Sequence, residues 1–331
     1  MKAPQAGTRR VHYPSLTEAV ERILRPLLLP SVALDSNEVP LEAAEVELLV
    51  AGRPSEAQLN ALPRLSTLLI PFAGVPKSTA ELLARYPDIA IHNLHHNAAP
   101  TAELAIALLL AAAKEVLPLD QKLRQGDWRP RYNLDSGILL EGKRAVVLWY
   151  GAIGQRVSRI CGAMGMDVVA VRRTSKATEE EAGIRVVDVK ALPELWEGTD
   201  FLLVCLPLTP ATEGLVGSAE LAAMPDHAVV VNVGRAQIID EVALYDALAE
   251  KRIAAAGLDV WYRYPDSEEQ RTQTLPANQP FHKLQNVVLS PHRAGHCELT
   301  ETLRARELAR SLNAFAEDSA VPYRVDLSRG Y

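Results

Sequence analysis

Short apolar runs alternate with amphipathic stretches along most of the chain. In the first third, the apolar runs cover residues 9–13, 46–50, 65–70 and 89–92. Between them, residues 16–29 and 78–86 show the spacing of apolar positions that is typical of helices. Because the strands of a parallel sheet are connected by helices, this alternation predicts an α/β lobe with a parallel sheet.

A second and clearer series of apolar runs begins after Gly142. The predicted strands are residues 145–149, 168–171, 201–206, 229–233, 255–259 and 286–289. Helices are predicted to begin near Ala152, Ser218, Glu241 and Glu298, and the last one covers roughly 299–315. Continuous Val/Leu runs of this kind are typical of strands buried on both faces of a parallel sheet. The series therefore predicts a second α/β lobe.

A long Ala/Leu stretch separates the two series. Residues 101–115 predict a helix that is closed by Pro118, and a polar, Gly- and Pro-containing stretch follows as far as Gly142. We interpret this segment as the crossing between the lobes. The apolar run 104–113 is too short to span a bilayer.

Composition narrows the class of protein. The chain has 331 residues, which exceeds what one hydrophobic core usually serves and so favours two lobes. Its formal net charge of -6 offers no basic stripe for nucleic acid, so small-molecule chemistry is favoured. Three cysteines without ligand spacing fit a reduced compartment, and the N-terminus shows no secretory signal. We therefore expect a cytoplasmic protein that binds neither nucleic acid nor membrane.

The turn after the first strand of the second series resembles a dinucleotide-binding fingerprint. Gly151 and Gly154 match the second and third glycines of G-x-G-x-x-G, with Ala152 and Ile153 between them, whereas Trp149 occupies the first position. The alternative is an ordinary strand-turn-helix with packing glycines. The motifs that follow along the chain favour the dinucleotide site.

Two arginines end the next predicted strand. Arg172 and Arg173 stand where NAD enzymes usually carry an acid for the ribose 2′-hydroxyl. Two guanidinium groups suit a 2′-phosphate instead, which favours NADP over NAD. The alternative is a solvated, basic strand end.

Five further motifs, in order along the chain, resemble those of the D-isomer-specific 2-hydroxyacid dehydrogenases, a family that includes phosphoglycerate, glyoxylate and formate dehydrogenases. They are Gly142-Lys143, LVCLPLT at 203–209, NVGRA at 232–236 followed by Asp240, GLDVW at 257–261 and SPH at 290–292. The match covers roughly residues 93–301 and is similar to a poorly characterised branch of the family. The resemblance implies a flavodoxin-like substrate lobe, residues 1–97 and 296–331, and an NAD(P)-binding Rossmann lobe, residues 98–295.

The resemblance also implies roles for particular side chains. Arg235 would bind the substrate carboxylate and polarise the carbonyl, His292 would exchange the proton, and Asp259 would hold the nicotinamide carboxamide. These residue types suit the chemistry, since a guanidinium grips a carboxylate with two hydrogen bonds and an imidazole titrates near neutral pH. In isolation, Arg235 would be interpreted as a surface arginine and His292 as a loop histidine. The implied cofactor contacts are Gly151, Ala152, Ile153, Gly154, Arg172, Arg173, Leu206, Pro207, Thr212, Val233, Gly234, Asp259 and His292.

The first lobe offers weaker candidates for substrate binding. Ala73 and Gly74 belong to a glycine loop, residues 71–75, whose backbone N–H groups would face the substrate carboxylate by the same resemblance. Asn97 lies six positions before Glu103, the spacing of a substrate-contacting asparagine in formate-dehydrogenase-like members. The stretch 92–97 is rich in histidine but lacks a third ligand at metal spacing, so we interpret it as a polar cleft lining and expect no metal.

Two single positions and one short run depart from the family pattern. Trp149 replaces a glycine beside the pyrophosphate, Tyr264 stands where most members carry the Glu that pairs with the catalytic His, and the run 293–296 is unusual. We therefore list Tyr264 with Arg235 and His292 as the candidate catalytic residues.

Two classes of function remain open from the sequence. The leading one is an oxidoreductase that transfers a hydride between NAD(P)(H) and a small 2-oxoacid or D-2-hydroxyacid, and the resemblance implies a homodimer built on the helix 101–115. The alternative is a cofactor-sensing or catalytically impaired binding protein that reuses the fold. Arg235 and His292 favour the enzyme.

Overall fold

The computed structural model describes residues 7–132, 137–173, 179–181 and 183–327. The chain divides into two compact units: unit 1 is Met1–Asn97 with His296–Tyr331, and unit 2 is Ala98–Gly295. The fold class predicted from the sequence, α/β with two parallel sheets, is confirmed.

The described residues form thirteen strands and nine α-helices. The strands are β1 Arg9–His12, β2 Val32–Asp35, β3 Leu48–Val50, β4 Thr67–Leu69, β5 Ala90–His92, β6 Arg144–Leu148, β7 Asp167–Arg172, β8 Glu179–Glu181, β9 Ile184–Asp188, β10 Phe201–Val204, β11 Val229–Asn232, β12 Ala255–Leu258 and β13 Val287–Leu289. The helices are α1 Glu18–Leu24, α2 Glu56–Asn60, α3 Lys77–Leu83, α4 Ala98–Ala113, α5 Val116–Arg124, α6 Ala152–Ala163, α7 Ser218–Ala223, α8 Glu241–Ala249 and α9 Thr300–Ala316.

Unit 1 is built on a five-stranded parallel sheet in the order β2-β1-β3-β4-β5. This is the flavodoxin-like order, which reverses direction between β1 and β3. The C-terminal helix α9 returns to this unit and buries Ala305, Leu308 and Leu312 in the same core as Val11 of β1. The carboxyl ends of all five strands lie at one edge of the sheet.

Unit 2 contains an eight-stranded sheet in the order β13-β12-β11-β10-β6-β7-β9-β8, in which only the pairing of β8 with β9 is antiparallel. The central order β9-β7-β6-β10-β11-β12 is the 3-2-1-4-5-6 order of a Rossmann fold. The order reverses between β6 and β10, so a ligand crevice is expected beyond the carboxyl ends of these strands.

Both faces of the unit 2 sheet are buried, as the continuous apolar runs predict. Val146 and Leu148 of β6 point into one core cluster, whereas Ala145 and Val147 point into the other. Helix α4 covers the second face and approaches β12 so closely that a Cβ at Gly257 would lie 2.8 Å from the Cβ of Leu108. The Ala/Leu stretch is therefore a core helix of this unit. The prediction that this segment forms the crossing between the lobes is wrong, because unit 2 already begins at Ala98 and contains the whole segment.

Some local predictions are wrong. Pro118 does not close the long helix, because α4 ends at Ala113 and Pro118 lies within the first turn of α5. A first-turn position has no intrahelical partner for its N–H, so proline is tolerated there. The strands that were not predicted include β2, a half-buried strand at the edge of its sheet, and β9, whose apolar residues are interrupted by Arg185.

No helix in the described part of the chain is both long and apolar enough to cross a membrane.

Candidate functional site

The predicted cofactor and catalytic residues of unit 2 follow the carboxyl ends of its strands. Trp149 follows β6, Arg172 ends β7, Leu206 lies two residues after β10, and Arg235 lies three residues after β11. Because the carboxyl ends of parallel strands meet at one edge, these side chains are presented to one side of the sheet. We call this side the carboxyl edge of unit 2.

The turn between β6 and α6 has the backbone of a dinucleotide fingerprint. Trp149 adopts a φ of 84°, in the left-handed region that favours glycine, and Gly151 is the N-cap of α6. A Cβ at Gly154 would lie 2.0 Å from the carbonyl oxygen of Trp149, so only glycine fits there. The N–H groups of Trp149 and Tyr150 both donate to Val171, which holds the turn against the end of β7.

The indole of Trp149 lies across this turn. A Cβ built on Gly151 would meet the indole Nε1 at 2.5 Å, and the ring also packs against the core cluster that contains Val146 and Leu148. The side chain therefore contacts the core and the second fingerprint glycine at once. This is the position where the crowding expected from the sequence would act.

The basic pair lies beside the fingerprint turn. Arg172 is the last residue of β7, Arg173 follows it, and both are partly exposed. The N–H groups of Trp149 and Tyr150 donate to the carbonyl of Val171, the residue before Arg172. The two arginines therefore directly follow the residue that holds the fingerprint turn. Their placement fits an anion bound near the turn.

The loop after β10 carries Leu206, Pro207 and Thr212. The hydroxyl of Thr212 accepts a hydrogen bond from the Thr209 N–H at 2.8 Å and donates to the Pro207 carbonyl at 2.8 Å. It thereby fixes the shape of the loop. A Cβ at Gly234 would lie 2.6 Å from the Leu206 carbonyl oxygen, so glycine lets the two loops approach.

Asn232 shapes the loop that carries Arg235. Its Oδ1 accepts a hydrogen bond from the Gly234 N–H, and its Nδ2 donates to the Arg235 carbonyl, both at 3.0 Å. Asn232 belongs to the arginine motif of the sequence, with Val233 and Gly234, but no role was predicted for it. The sequence signal for this role is that Asn232, a polar residue, ends the buried apolar strand β11.

The guanidinium of Arg235 is largely buried at the carboxyl edge. Its Nη1 donates to the Gly234 carbonyl at 2.7 Å. Burial lowers the pKa of Arg235, and nearby Tyr264 partly offsets this effect. An arginine remains protonated at neutral pH, so the site holds a partly desolvated positive charge that suits a carboxylate.

Tyr264 lies near both Arg235 and His292. Its ring centroid is 5.4 Å from that of His292, and its hydroxyl oxygen accepts a hydrogen bond from the Trp261 N–H at 3.0 Å. Burial raises the pKa of Tyr264 above its usual range, so the hydroxyl is neutral at pH 7. Tyr264 therefore places a neutral group beside the imidazole.

Asp266 and Glu268 follow Tyr264 closely in the sequence, and each carries a carboxylate like that of the family glutamate. Glu268 pairs with Arg271 at 2.5 Å on an exposed turn, and Asp266 is exposed. The carboxylate of Glu268 therefore forms an ion pair with Arg271. Tyr264, by contrast, is in ring contact with His292.

The loop that carries His292 is held by Asp259, which is 0% exposed. Oδ1 of Asp259 accepts hydrogen bonds from the Ser290 hydroxyl at 2.5 Å and the Arg293 N–H at 2.8 Å, and Oδ2 accepts from the Ala294 N–H at 2.9 Å. The indole of Trp261 adds a bond to the Ser290 carbonyl at 2.8 Å. His292 itself adopts a φ of 56°, so these contacts hold it in a strained, defined position.

In unit 1, the predicted glycine loop follows β4. The Ala73 carbonyl in this loop accepts a hydrogen bond from Asn93 Nδ2 at 2.6 Å. Asn93 follows β5, and it is a residue to which the sequence analysis gave no role. The loop with Ala73 and Gly74 therefore lies at the carboxyl edge of the unit 1 sheet.

The histidine-rich stretch of unit 1 makes packing contacts within that unit. His95 contacts the ring of Tyr323 at 4.5 Å, and burial, together with Arg304 and His95, lowers the pKa of His96 to about 4. Asn97 has a buried Oδ1 without a partner in the part of the chain that is described. No group of three potential metal ligands occurs among the described residues.

Comparison with known proteins identifies the family. Residues 106–294 match the model for the NAD-binding domain of D-isomer specific 2-hydroxyacid dehydrogenases. A glyoxylate reductase of Aeropyrum pernix is 34% identical over 97% of this chain and 96% of its own length. A D-3-phosphoglycerate dehydrogenase of Archaeoglobus fulgidus is 38% identical over 79% of this chain and 48% of its own length.

A solved structure agrees with these relatives. The D-isomer specific 2-hydroxyacid dehydrogenase from Xanthobacter autotrophicus Py2, crystallised with NADPH and MES, is 25% identical and has a TM-score of 0.80. The similarity covers 98% of this chain and 100% of that one. The protein is an NAD(P)-dependent oxidoreductase, and the chain belongs to the D-isomer specific 2-hydroxyacid dehydrogenase family.

Proposed function

We propose that this enzyme uses NADPH to reduce a small 2-oxoacid, of the glyoxylate or hydroxypyruvate kind, to its D-2-hydroxyacid. The observation that carries the proposal is the cluster of Arg235, Tyr264 and His292 at the carboxyl edge of unit 2. Curated relatives include glyoxylate reductases and a hydroxypyruvate reductase of Thermotoga maritima. The alternative of a binding protein without turnover finds no support among these relatives.

The residues of the cluster divide the work of the reaction. Arg235 binds the substrate carboxylate with two parallel hydrogen bonds and polarises the adjacent carbonyl. His292 donates a proton to the carbonyl oxygen as negative charge develops there, and regains it from solvent. NADPH, when bound, supplies the hydride to the carbonyl carbon. Tyr264 packs beside the imidazole and limits its motion.

The fingerprint turn fits a dinucleotide in its backbone. Gly154 permits the close turn, and the first N–H groups of α6 face outward from its N-terminus, where a pyrophosphate is favoured. The residues proposed to surround the rest of the cofactor are Ala152, Ile153, Leu206, Pro207, Thr212, Val233, Gly234 and Asp259. Because Asp259 already accepts three hydrogen bonds, we propose that it acts on the cofactor chiefly by holding the His292 loop.

The basic pair predicts a preference for NADPH over NADH. Arg172 and Arg173 can pair with the 2′-phosphate, and a charge-assisted contact of this kind contributes about 1.5 to 3 kcal/mol. We expect the double variant Arg172→Ala/Arg173→Ala to bind NADPH roughly ten- to a hundredfold more weakly and to bind NADH about as well as before. Fluorescence titration with both cofactors measures this.

The exposed Arg22, which pairs with Glu18 in unit 1, provides the matched control. Arg22→Ala should leave both affinities unchanged. Tighter binding of NADH than NADPH by the parent protein would contradict the assignment of the basic pair.

The Trp149 side chain is expected to weaken cofactor binding. Trp149→Gly removes the indole from Gly151 and places glycine where φ is 84°. We expect the Kd for NADPH to fall by about tenfold, or about 1.4 kcal/mol, although the lost core contacts should lower Tm. Titration and thermal unfolding measure the two effects.

Trp149→Ala separates the causes, because alanine lacks the indole but keeps a Cβ at the left-handed position. If crowding by the ring dominates, alanine should recover most of the gain in affinity. An unchanged or higher Kd in Trp149→Gly, with a lower Tm, would assign the indole a structural role only.

The proposed activity is tested with a panel of 2-oxoacids. Initial rates of NADPH oxidation should be measured with glyoxylate, hydroxypyruvate, pyruvate and larger 2-oxoacids, and the product should have the D configuration. In unit 1, we propose that the glycine loop, through Ala73 and Gly74, and Asn97 bind the substrate. Failure of every 2-oxoacid in a protein that binds NADPH would contradict the proposed activity.

We also propose a homodimer in the cytoplasm. The helix 101–115, on which the resemblance placed the dimer, buries most of its apolar side chains in the core of unit 2. We therefore propose the segment that follows α4, which exposes several large apolar side chains that a second copy would cover: Val116, Leu117, Leu123, Trp128 and Leu139. The three cysteines are free thiols, which fits a reducing compartment. Sedimentation of the parent protein and of Leu123→Glu tests the dimer.

A further inference from the structure

A buried asparagine, Asn93, ties the glycine loop of unit 1 to two other segments. It directly follows β5 and is 4% exposed. Its Nδ2 donates to the Ala73 carbonyl at 2.6 Å, and its backbone N–H donates to the Tyr323 carbonyl at 3.2 Å. The next N–H, that of Leu94, donates to Phe72 at 3.4 Å. Asn93 therefore joins β5, the glycine loop and the C-terminal segment.

The bond to Ala73 sets the direction of the next N–H. The Ala73 carbonyl and the Gly74 N–H belong to one planar trans peptide unit, so they point in opposite directions. When Asn93 holds the carbonyl oxygen, the Gly74 N–H must face away from Asn93. Among the described residues, none accepts a hydrogen bond from the Gly74 N–H. That donor is therefore available to a ligand.

The side-chain oxygen of Asn93 indicates that the residue is more than a structural link. Its Oδ1 is buried and has no hydrogen-bond partner within the described ranges. Burial of an unsatisfied polar atom is unfavourable, and an apolar residue of similar shape would stabilise a packed strand end better. The unsatisfied oxygen adds nothing to the packing of the strand end, so the specific contribution of the amide is the hydrogen bond that its Nδ2 donates to Ala73.

We propose that Asn93 is a positioning residue that aims the Gly74 N–H at the carboxylate of the 2-oxoacid substrate. The proposal rests on the proposed function, because it assigns the glycine loop to the substrate. Asn93 acts through the loop and does not itself touch the reacting atoms. Its loss should therefore weaken substrate binding more than it slows the chemical step.

The test replaces the donor without changing the shape of the side chain. In Asn93→Asp, an ionised carboxylate cannot donate to Ala73 and repels its carbonyl oxygen. We expect KM for the best 2-oxoacid to rise about tenfold, kcat to change less than about twofold, and the Kd for NADPH to stay constant. A tenfold change corresponds to about 1.4 kcal/mol.

A second variant covers the outcome in which a buried carboxylate prevents folding. Asn93→Leu removes the donor and also the unsatisfied oxygen, so it should raise KM similarly while its Tm equals or exceeds that of the parent. The Kd for oxamate, a non-reacting analogue of a 2-oxoacid, measured by calorimetry on NADPH-saturated protein, should rise in parallel with KM.

Asn313 on α9 provides the matched control. Its Nδ2 donates to the Leu27 carbonyl at 2.9 Å, and its Oδ1 accepts from the Leu29 N–H at 3.0 Å. Asn313→Asp makes the same chemical change elsewhere in unit 1, so it should lower Tm and leave KM unchanged.

The outcomes distinguish this inference from the proposed function. Parental KM and oxamate affinity in a folded Asn93 variant would overturn the positioning role, as would failure of both Asn93 variants to fold. An equal rise of KM in Asn313→Asp would overturn it as well. A parent protein that neither reduces 2-oxoacids nor binds oxamate would contradict the proposed function itself.

Discussion

Replacement of Arg235 by glutamine is expected to lower kcat/KM for the 2-oxoacid by about 10²- to 10⁴-fold. The variant loses two charge-assisted hydrogen bonds to the carboxylate, each of which contributes about 1.5 to 3 kcal/mol. Because the guanidinium is largely buried, little water is present to substitute for these bonds. Steady-state rates with saturating NADPH measure the loss, and NADPH affinity should remain near that of the parent.

Two further variants separate charge from geometry. Arg235→Lys keeps the positive charge but loses the planar fork and the bond to Gly234, so its activity should lie between those of the parent and Arg235→Gln. Arg252 is the control, since its guanidinium donates to the Met224 carbonyl at 2.7 Å, a contact within the fold. Arg252→Gln should lower Tm and spare kcat/KM. Near-parental activity of Arg235→Gln would exclude Arg235 from carboxylate binding.

Much of the fold was predictable because buried parallel strands have a strong sequence signal. β6, β10 and β11 are continuous apolar runs whose residues point alternately into two cores. β2 was missed because an edge strand buries less and needs fewer apolar residues. Pro118 was misinterpreted because proline is compatible with the first turn of a helix as well as with its end.

The order of motifs along the chain was enough to predict the family, which the comparisons confirm. The sequence could not predict which side chains support the site. The three hydrogen bonds from the loop of residues 290–294 to Asp259, and the contact of Asn93 with Ala73, join residues that are 20 or more positions apart. Such contacts depend on how strands and loops pack, and no local pattern encodes them.

Tyr264 is a site that the sequence identified but whose contacts only the structure shows. The departure from the family glutamate is visible in the sequence, but the sequence does not show whether Asp266 or Glu268 lies near His292. The structure places the tyrosine ring against His292 and pairs Glu268 with Arg271. The side chain at position 264 is therefore a neutral neighbour of the imidazole at pH 7.

Replacement of His292 by glutamine is expected to lower kcat for reduction by about 10²- to 10⁴-fold, the usual contribution of a general acid. Glutamine keeps a hydrogen-bond donor but cannot release a proton to the developing alkoxide. In the parent protein, the rate of reduction should fall as pH rises, because a smaller fraction of His292 is protonated. The rate of oxidation, which needs neutral His292, should rise. Both limbs should disappear in His292→Gln. Their persistence would show that another group titrates.

Tyr264→Glu is the variant that assigns these limbs to His292. Since burial raises the pKa of Tyr264, its hydroxyl carries no charge near pH 7 and does not stabilise the imidazolium. A carboxylate at this position would favour the protonated imidazole, so the falling limb of reduction should move to higher pH without disappearing. Tyr264→Phe, which loses the hydroxyl but stays neutral, should move the limb much less. An unmoved limb in a folded, active Tyr264→Glu protein would mean that residue 264 does not act on the proton donor.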